Sequence, residues 1–175
     1  MIEYNLDLQV IDGRMHELEW ILGYTFNDVR NLSNAMCGIR LNSAGSGPKI
    51  KDTYNSSLAL VGDSILKAVL SEELFRRGLS KMDITEIKKG LEGNETLFDM
   101  SENIGLRRFV YNENGFYPDI KGKELPQYGV HNQYLEAIIG SVYFDSDYET
   151  CKEWLLSRFY TKEVLDVHVK FSIRC

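Results

Sequence analysis

The sequence predicts an all-α, or mostly α, single domain, and three observations carry that expectation. Helix-forming residues dominate the middle and the C-terminal half of the 175-residue chain, only three prolines interrupt it, and 43% of its residues are apolar. A chain of this length can bury a core of its own, and its apolar content is unlike that of a disordered segment.

The elements follow in order. An amphipathic helix is expected from about Arg14 to Leu22, with Leu18, Ile21 and Leu22 apolar and Gly23-Tyr24 as its break. The next covers NDVRNLSNAMCGI, with Asn27 as its N-cap. RLNSAGSGPKIKDTY, rich in Gly, Ser and Lys, reads as a flexible loop. Its AGSG lacks the preceding strand and following Lys-Thr of a phosphate-cradling loop. The longest helix spans about residues 55–77 and closes at Gly78. SKMDITEIKKGLEG opens at Ser80 and closes near Gly93, and NETLFDMSENIG opens on a cap-like Asn94 and ends at Gly105. YNENGFYPDIKGKELPQYG holds two of the prolines and reads as irregular. VHNQYLEAIIGSVYFDS is helical and mostly apolar, and DYETCKEWLLSRFY is an amphipathic helix opened by acids. The final KEVLDVHVKFSIRC alternates enough for a short strand or an ordered tail. The expected division is an N-terminal extension over 1–13, one domain over 14–162 and a C-terminal tail over 163–175, with no internal repeat.

Charge and composition narrow the function. A net charge of −6 and a pI near 5.1 argue against a protein that coats nucleic acid electrostatically. They leave room for a site that meets phosphates through metal ions, since such sites are themselves acidic. No apolar run approaches the length of a membrane span, and MIEYNLDLQVIDGR lacks the basic start and apolar core of a secretory signal. Cys37, Cys151 and Cys175 are odd in number and form no zinc-ligand pattern, which suits free thiols in a reducing, intracellular compartment.

The run NSSLALVGDSILKAVLSEELF raises the chemical question, because one acid, Asp63, interrupts an apolar helix. Ser56, Ala59 and Asp63 lie at i, i+3 and i+7 and share a face. In the second apolar helix Gln133 and Glu136 share a face in the same way. Gly62 and Gly140 would let these two helices approach closely and bring Asp63 toward Glu136 at the edge of a cleft. Two such carboxylates repel unless a proton or cation lies between them, and a divalent metal held by oxygens is one resolution. The other reading has both acids facing solvent or capping neighbouring elements.

Four motifs in order resemble the catalytic domain of the ribonuclease III family, over residues from about 16 to 160. LEWILGYTFNDVRNLSNAM resembles the family's opening, and NSSLALVGDSILKAVLSEELF its signature, N-E-R-L-E-F-L-G-D-S-hydrophobic-L. GNETLFDMSENIGL and NQYLEAIIGSVYFDSD resemble its N-x-x-L-A-x-x-A and D-x-x-E-A-L-I-G-A segments. The resemblance implies a dimeric, helical endonuclease domain that cuts double-stranded RNA with Mg²⁺ (or Mn²⁺), each subunit contributing one site. It places the signature aspartate on Asp63 and the last glutamate on Glu136, the two acids expected to hold a metal. The signature's second glutamate falls on Ala59 and the D of D-x-x-E falls on Gln133, so two metal-ligand acids are replaced. LALVGD, with Ala for Glu, also looks like short stand-alone ribonuclease III-like proteins of filamentous fungi. The signature's first glutamate, linked to the dimer and RNA-facing surface, falls on Ser56. A further acid has its nearest candidate in Asp83, across a gap.

With the site reduced from four acids to two, cleavage is expected to be strongly impaired or absent. The leading reading is a degenerate, RNA-binding family member. The alternatives are an active endonuclease with a reduced ligand set and a structural subunit of a ribonucleoprotein assembly. Among the basic pairs (Arg76/Arg77, Lys88/Lys89, Arg107/Arg108, Lys121/Lys123), Lys88 and Lys89 are the expected RNA contacts, with Ser56; solvated helix faces with Glu partners are the other reading of each pair. No separate double-stranded RNA-binding domain is expected, so affinity should be low and salt-sensitive. Leu58, Leu60, Val61, Ile65, Leu66, Val69 and Leu70 cover most of the signature helix's circumference, so some are expected to face a second subunit. A homodimer is the family expectation, and a heterodimer with an intact partner is the alternative.

Overall fold

The structure is a computed structural model that describes residues 8–38, 55–112, 115–116 and 131–172. The Gly/Ser/Lys-rich loop, most of the proline-containing stretch, Lys121, Lys123 and Cys175 lie outside the described residues.

Helix α1 runs Leu8–Leu22. It starts earlier than Arg14 because Ile11 and Met15 extend the stripe of Leu18 and Leu22, and all four are buried. Helix α2 is Val29–Met36, and its N-cap is Asp28 rather than Asn27. The Asp28 carboxylate accepts from the Arg30 N–H at 3.0 Å. Asn27 is engaged elsewhere: its N–H donates to Asp145 Oδ2 at 2.8 Å and its side-chain amide to the Asp145 carbonyl at 3.1 Å.

Helix α3, Ser56–Arg76, is followed by Arg77 and by Gly78 at φ 77°, the left-handed turn that ends it. Helix α4, Lys81–Leu91, opens with a reciprocal capping box between Ser80 and Asp83. Helix α5, Asn94–Asn103, has Gly93 and not Asn94 in the cap position. A Cβ on Gly93 would lie 2.9 Å from the Lys89 carbonyl, so the tight α4–α5 corner selects glycine. A 3₁₀ turn over Leu106–Phe109 leads to two short antiparallel strands, β1 (Tyr111–Asn112) and β2 (Gly115–Phe116).

Helices α6 (His131–Asp145) and α7 (Tyr148–Arg158) follow, the second capped by Asp147 accepting from the Thr150 N–H at 2.8 Å. The last segment is a helix, α8 (Lys162–Ser172), and not the expected strand or tail. Its sequence alternation is overridden by packing. Leu165 is buried and Val169 packs against the core at i+4, while Val167 and Phe171 stay exposed. An Arg77–Asp166 ion pair at 2.6 Å ties α8 to the end of α3.

Helices α3 and α6 form the centre, with α2 and α5 packed on α6 and α8 on α4. Around them Tyr134, Tyr160, Phe109, Leu66 and Leu70 are fully buried. Tyr160 finds its partner in the Leu91 carbonyl at 2.9 Å, and buried Trp154 in the Leu22 carbonyl at 2.9 Å. No described helix is long and apolar enough to cross a membrane.

Candidate functional site

The α3–α6 crossing is set by two glycines. A Cβ on Gly62 would come within 1.7 Å of the Glu136 carbonyl oxygen, and one on Gly140 within 2.4 Å of the Leu58 carbonyl oxygen. Only hydrogen fits at either point, so the backbones meet directly. Asp63, next to Gly62, and Glu136, facing it, are thereby brought together.

Their charges act on one another. Burial pushes the Glu136 carboxyl up to about 7, the negative charge of Asp63 adds to the rise, and Lys67 opposes it. Lys67 lies one turn after Asp63 on α3, and its Nζ donates to Asp63 Oδ2 at 2.7 Å. That hydrogen bond raises the Lys67 pKa against its partial desolvation, with further contributions from the charges of Asp63, Glu92 and Glu136. The described site is therefore an acid pair with a lysine beside it.

Ala59 and Gln133 stand one turn away. Ala59 is 5% exposed, its methyl part of the core. Gln133 donates from its amide nitrogen to Asn55 Oδ1 and to Ser56 Oγ, both at 2.9 Å. Asn55, fully buried, in turn donates to the Ala35 carbonyl at 2.8 Å. The chain Gln133–Asn55–Ala35 links α6, the start of α3 and α2, so Gln133 and Ser56 stitch helices together. Asp83 lies at the first turn of α4, where its carboxylate accepts from the Ser80 hydroxyl at 2.5 Å.

Lys88 and Lys89 reach different surroundings. Lys88, 17% exposed, donates to Ser71 Oγ at 2.8 Å and lies 3.8 Å from Glu92 Oε2. Lys89 pairs with Glu86 at 2.6 Å and is the more exposed of the two. Between α3 and α4 runs a groove of about 620 Å³ lined by Phe75, Lys81, Thr85, Lys88, Lys89 and Glu92 among others. Glu92 Oε2 is buried there without a hydrogen bond among the described residues, and Lys88 Nζ lies 3.8 Å from it.

Two functional candidates were missed from sequence. Lys67 is visible in principle, because a lysine four residues after an aspartate on a helix pairs with it. Glu92 carries no such signal: its charge reaches Lys67 only because α4 folds back against α3.

A divalent cation fits these residues poorly. It needs several oxygen ligands with one or two carboxylates free to bind it. Here Asp63 is committed to an ammonium at 2.7 Å, the Ala59 position offers a buried methyl, and the Gln133 amide is turned to Asn55 and Ser56. Among the described residues no three His, Cys, Asp or Glu side chains are placed to hold a metal ion.

Comparison with known proteins adds an independent line. Residues 45–163 match the family described as Ribonuclease-III-like. The chain is similar to Ribonuclease 3 of Shewanella amazonensis, 30% identical over 148 residues that cover 81% of this chain and 58% of that protein. It is similar to Ribonuclease 3 of Idiomarina loihiensis at 30% over 145 residues, covering 82% and 58%. The chain thus spans 58% of the length of these relatives. In fold it resembles the nuclease domain of ribonuclease III from Campylobacter jejuni, with a TM-score of 0.63 and 24% identity over 81% of this chain and 90% of that one. A second structure of that nuclease domain, noted for flexibility in a region involved in dimer formation, gives a TM-score of 0.64 at 23% identity over 84% and 99%.

Proposed function

The chain belongs to the ribonuclease III-like family, and from that premise we propose that it is a dimeric, double-stranded RNA-binding member whose metal-dependent cleavage is strongly impaired or lost. The observation that carries this reading is the state of the acid pair. Asp63 is ion-paired with Lys67, and the two neighbouring positions that would complete a ligand set are Ala59 and Gln133.

The family works with divalent metal ions, and the cost of a reduced site follows from that chemistry. A catalytic metal must generate a nucleophilic water and stabilise charge developing on the phosphate. Loss of one preorganised electrostatic partner costs about 10²–10³ in rate, and losses acting on one group are not additive. Without a catalytic metal, what remains is RNA contact. Lys89 and Lys81 border the α3–α4 groove and are exposed, and both are suited to phosphate. On an acidic chain, such contacts give weak binding that fades with salt. Pairing is supported by Leu60, which stands 70% exposed on α3 although it is a large apolar residue.

One observation favours an active enzyme instead: Asp63 and Glu136 are both present beside the glycine crossing, and the charge of Asp63 acts on Glu136. The test separates the two. A labelled RNA duplex is incubated with Mg²⁺ or Mn²⁺ and the unaltered chain, Asp63→Asn, or the double reversion Ala59→Glu with Gln133→Asp. Binding without cleavage is expected for the unaltered chain, with cleavage gained in the double reversion. Because Ala59 is buried, circular dichroism must first show that the reverted chain folds. Cleavage by the unaltered chain that vanishes in Asp63→Asn sinks the proposal. Failure of every form to bind duplex at low salt favours an assembly subunit.

A further inference from the structure

Lys67 has no part in the expected ligand set, yet it makes a direct contact with the acid pair. Its Nζ lies 2.7 Å from Asp63 Oδ2, and the charges of Glu136 and Glu92 act on the same ammonium. Two carboxylates on α3 and α6 and a third at the C-terminal cap of α4 therefore act electrostatically on one cation supplied by the chain. The tether is favourable in two ways. Asp63 and Lys67 are four residues apart on one helix in the better order, acid before base. Lys67 is also 48% exposed, so its side chain stays in part in water while neutralising Asp63.

We propose that Lys67 is the resident cation of this site, a covalently tethered counter-ion that takes the place of a divalent metal and excludes it. The inference deepens the reading of a degenerate site and rests on it. A bound metal would have to break the Asp63–Lys67 pair and then coexist with the ammonium, whose like charge opposes it at close range. The ammonium itself has three donors and Asp63 takes one, so Lys67 also neutralises the acid pair toward an approaching phosphate.

The test needs no RNA and no turnover. The unaltered chain, Lys67→Met, Lys67→Arg and Lys67→Met with Asp63→Asn are titrated with Mn²⁺. Free and bound ion are distinguished by electron paramagnetic resonance, and each form is checked by a thermal melt. Removing one close positive charge should raise Mn²⁺ affinity in Lys67→Met on the order of tenfold or more. Lys67→Arg should bind as weakly as the unaltered chain, and Asp63→Asn should cancel the gain. Equal affinity of the unaltered chain and Lys67→Met overturns the proposal, as does a gain in Lys67→Arg as large as in Lys67→Met. Should Lys67→Met melt without cooperativity, Lys67→Gln at the same exposed position reads the same quantity. A parallel arm measures duplex RNA binding in chelator: loss of RNA binding there counts against the proposed function and leaves the metal titration standing.

Discussion

Glu136 shows how much a single residue's surroundings decide. Its burial against α3 disfavours the ionised form, and the neighbouring charge of Asp63 disfavours it further, so its carboxyl rises from 4.5 to about 7 while Lys67 pulls the other way. Because the folded value lies above the unfolded one, the native state binds the proton more tightly. The resulting stability is complete below pH 4.5 and is lost as the pH climbs through about 7. Thermal melts across this range should show the unaltered chain losing stability toward neutral pH, with Glu136→Gln flattening that slope. A slope that persists unchanged in Glu136→Gln would assign it to another group. Asp145 shows the opposite balance: burial pushes it up, but hydrogen bonds from the Asn27 and Asp28 N–H groups, the Asn31 amide and the Tyr24 hydroxyl outweigh that and hold it below its ordinary 3.8.

At the scale of elements, the α3–α6 crossing is the feature on which the site depends. Gly62 and Gly140 are each pressed against the partner helix's backbone, and a backbone cannot rotate away as a side chain does. Gly62→Ala should therefore destabilise by at least about 3 kcal/mol, the upper range of overpacking, although alanine favours an isolated helix. Urea unfolding of this variant beside Gly13→Ala, where nothing lies within 4 Å of a new Cβ, separates the two effects. Similar stability of the two variants would mean that the helices part without cost. The same element pair explains the role of Gln133. Its amide donates to Asn55 and Ser56 and fixes the first turn of α3 to α6.

For the whole molecule, what α3 leaves uncovered matters most. Leu66, Val69, Leu70 and Leu74 are fully buried inside the chain, whereas Leu60 is 70% exposed. The apolar residues around this helix thus resolve into an inner face, the half-buried Leu58, Val61 and Ile65, and two outward side chains, Leu60 and Phe75. Leu60→Asp should keep the fold, since the side chain makes little core contact, and should convert a dimer into a monomer in sedimentation velocity. An unaltered chain that sediments as a monomer at the same concentration would remove dimerisation from the proposal. With a net charge of −6 the molecule as a whole repels RNA, so any binding must come from a local arrangement of cations.

The sequence by itself determined the helical class, the four ordered motifs, the cap at Ser80 and the glycine pair that lets α3 meet α6. Those features are local in the chain: propensity, i+3 and i+4 spacing, and the small size of glycine act without knowledge of the rest. Asp63 and Glu136 could be singled out for the same reason, each from its own helix. Tertiary structure decided what locality does not carry. It turned KEVLDVHVKFS into a helix, because Leu165 and Val169 found the core. It gave the α2 cap to Asp28 by drawing Asn27 to Asp145, more than a hundred residues away. It also brought the charge of Glu92 to bear on Lys67, whose pairing with Asp63 is local to α3. Electrostatic partners chosen across helices depend on distances in space, and a sequence specifies those only once the chain has folded.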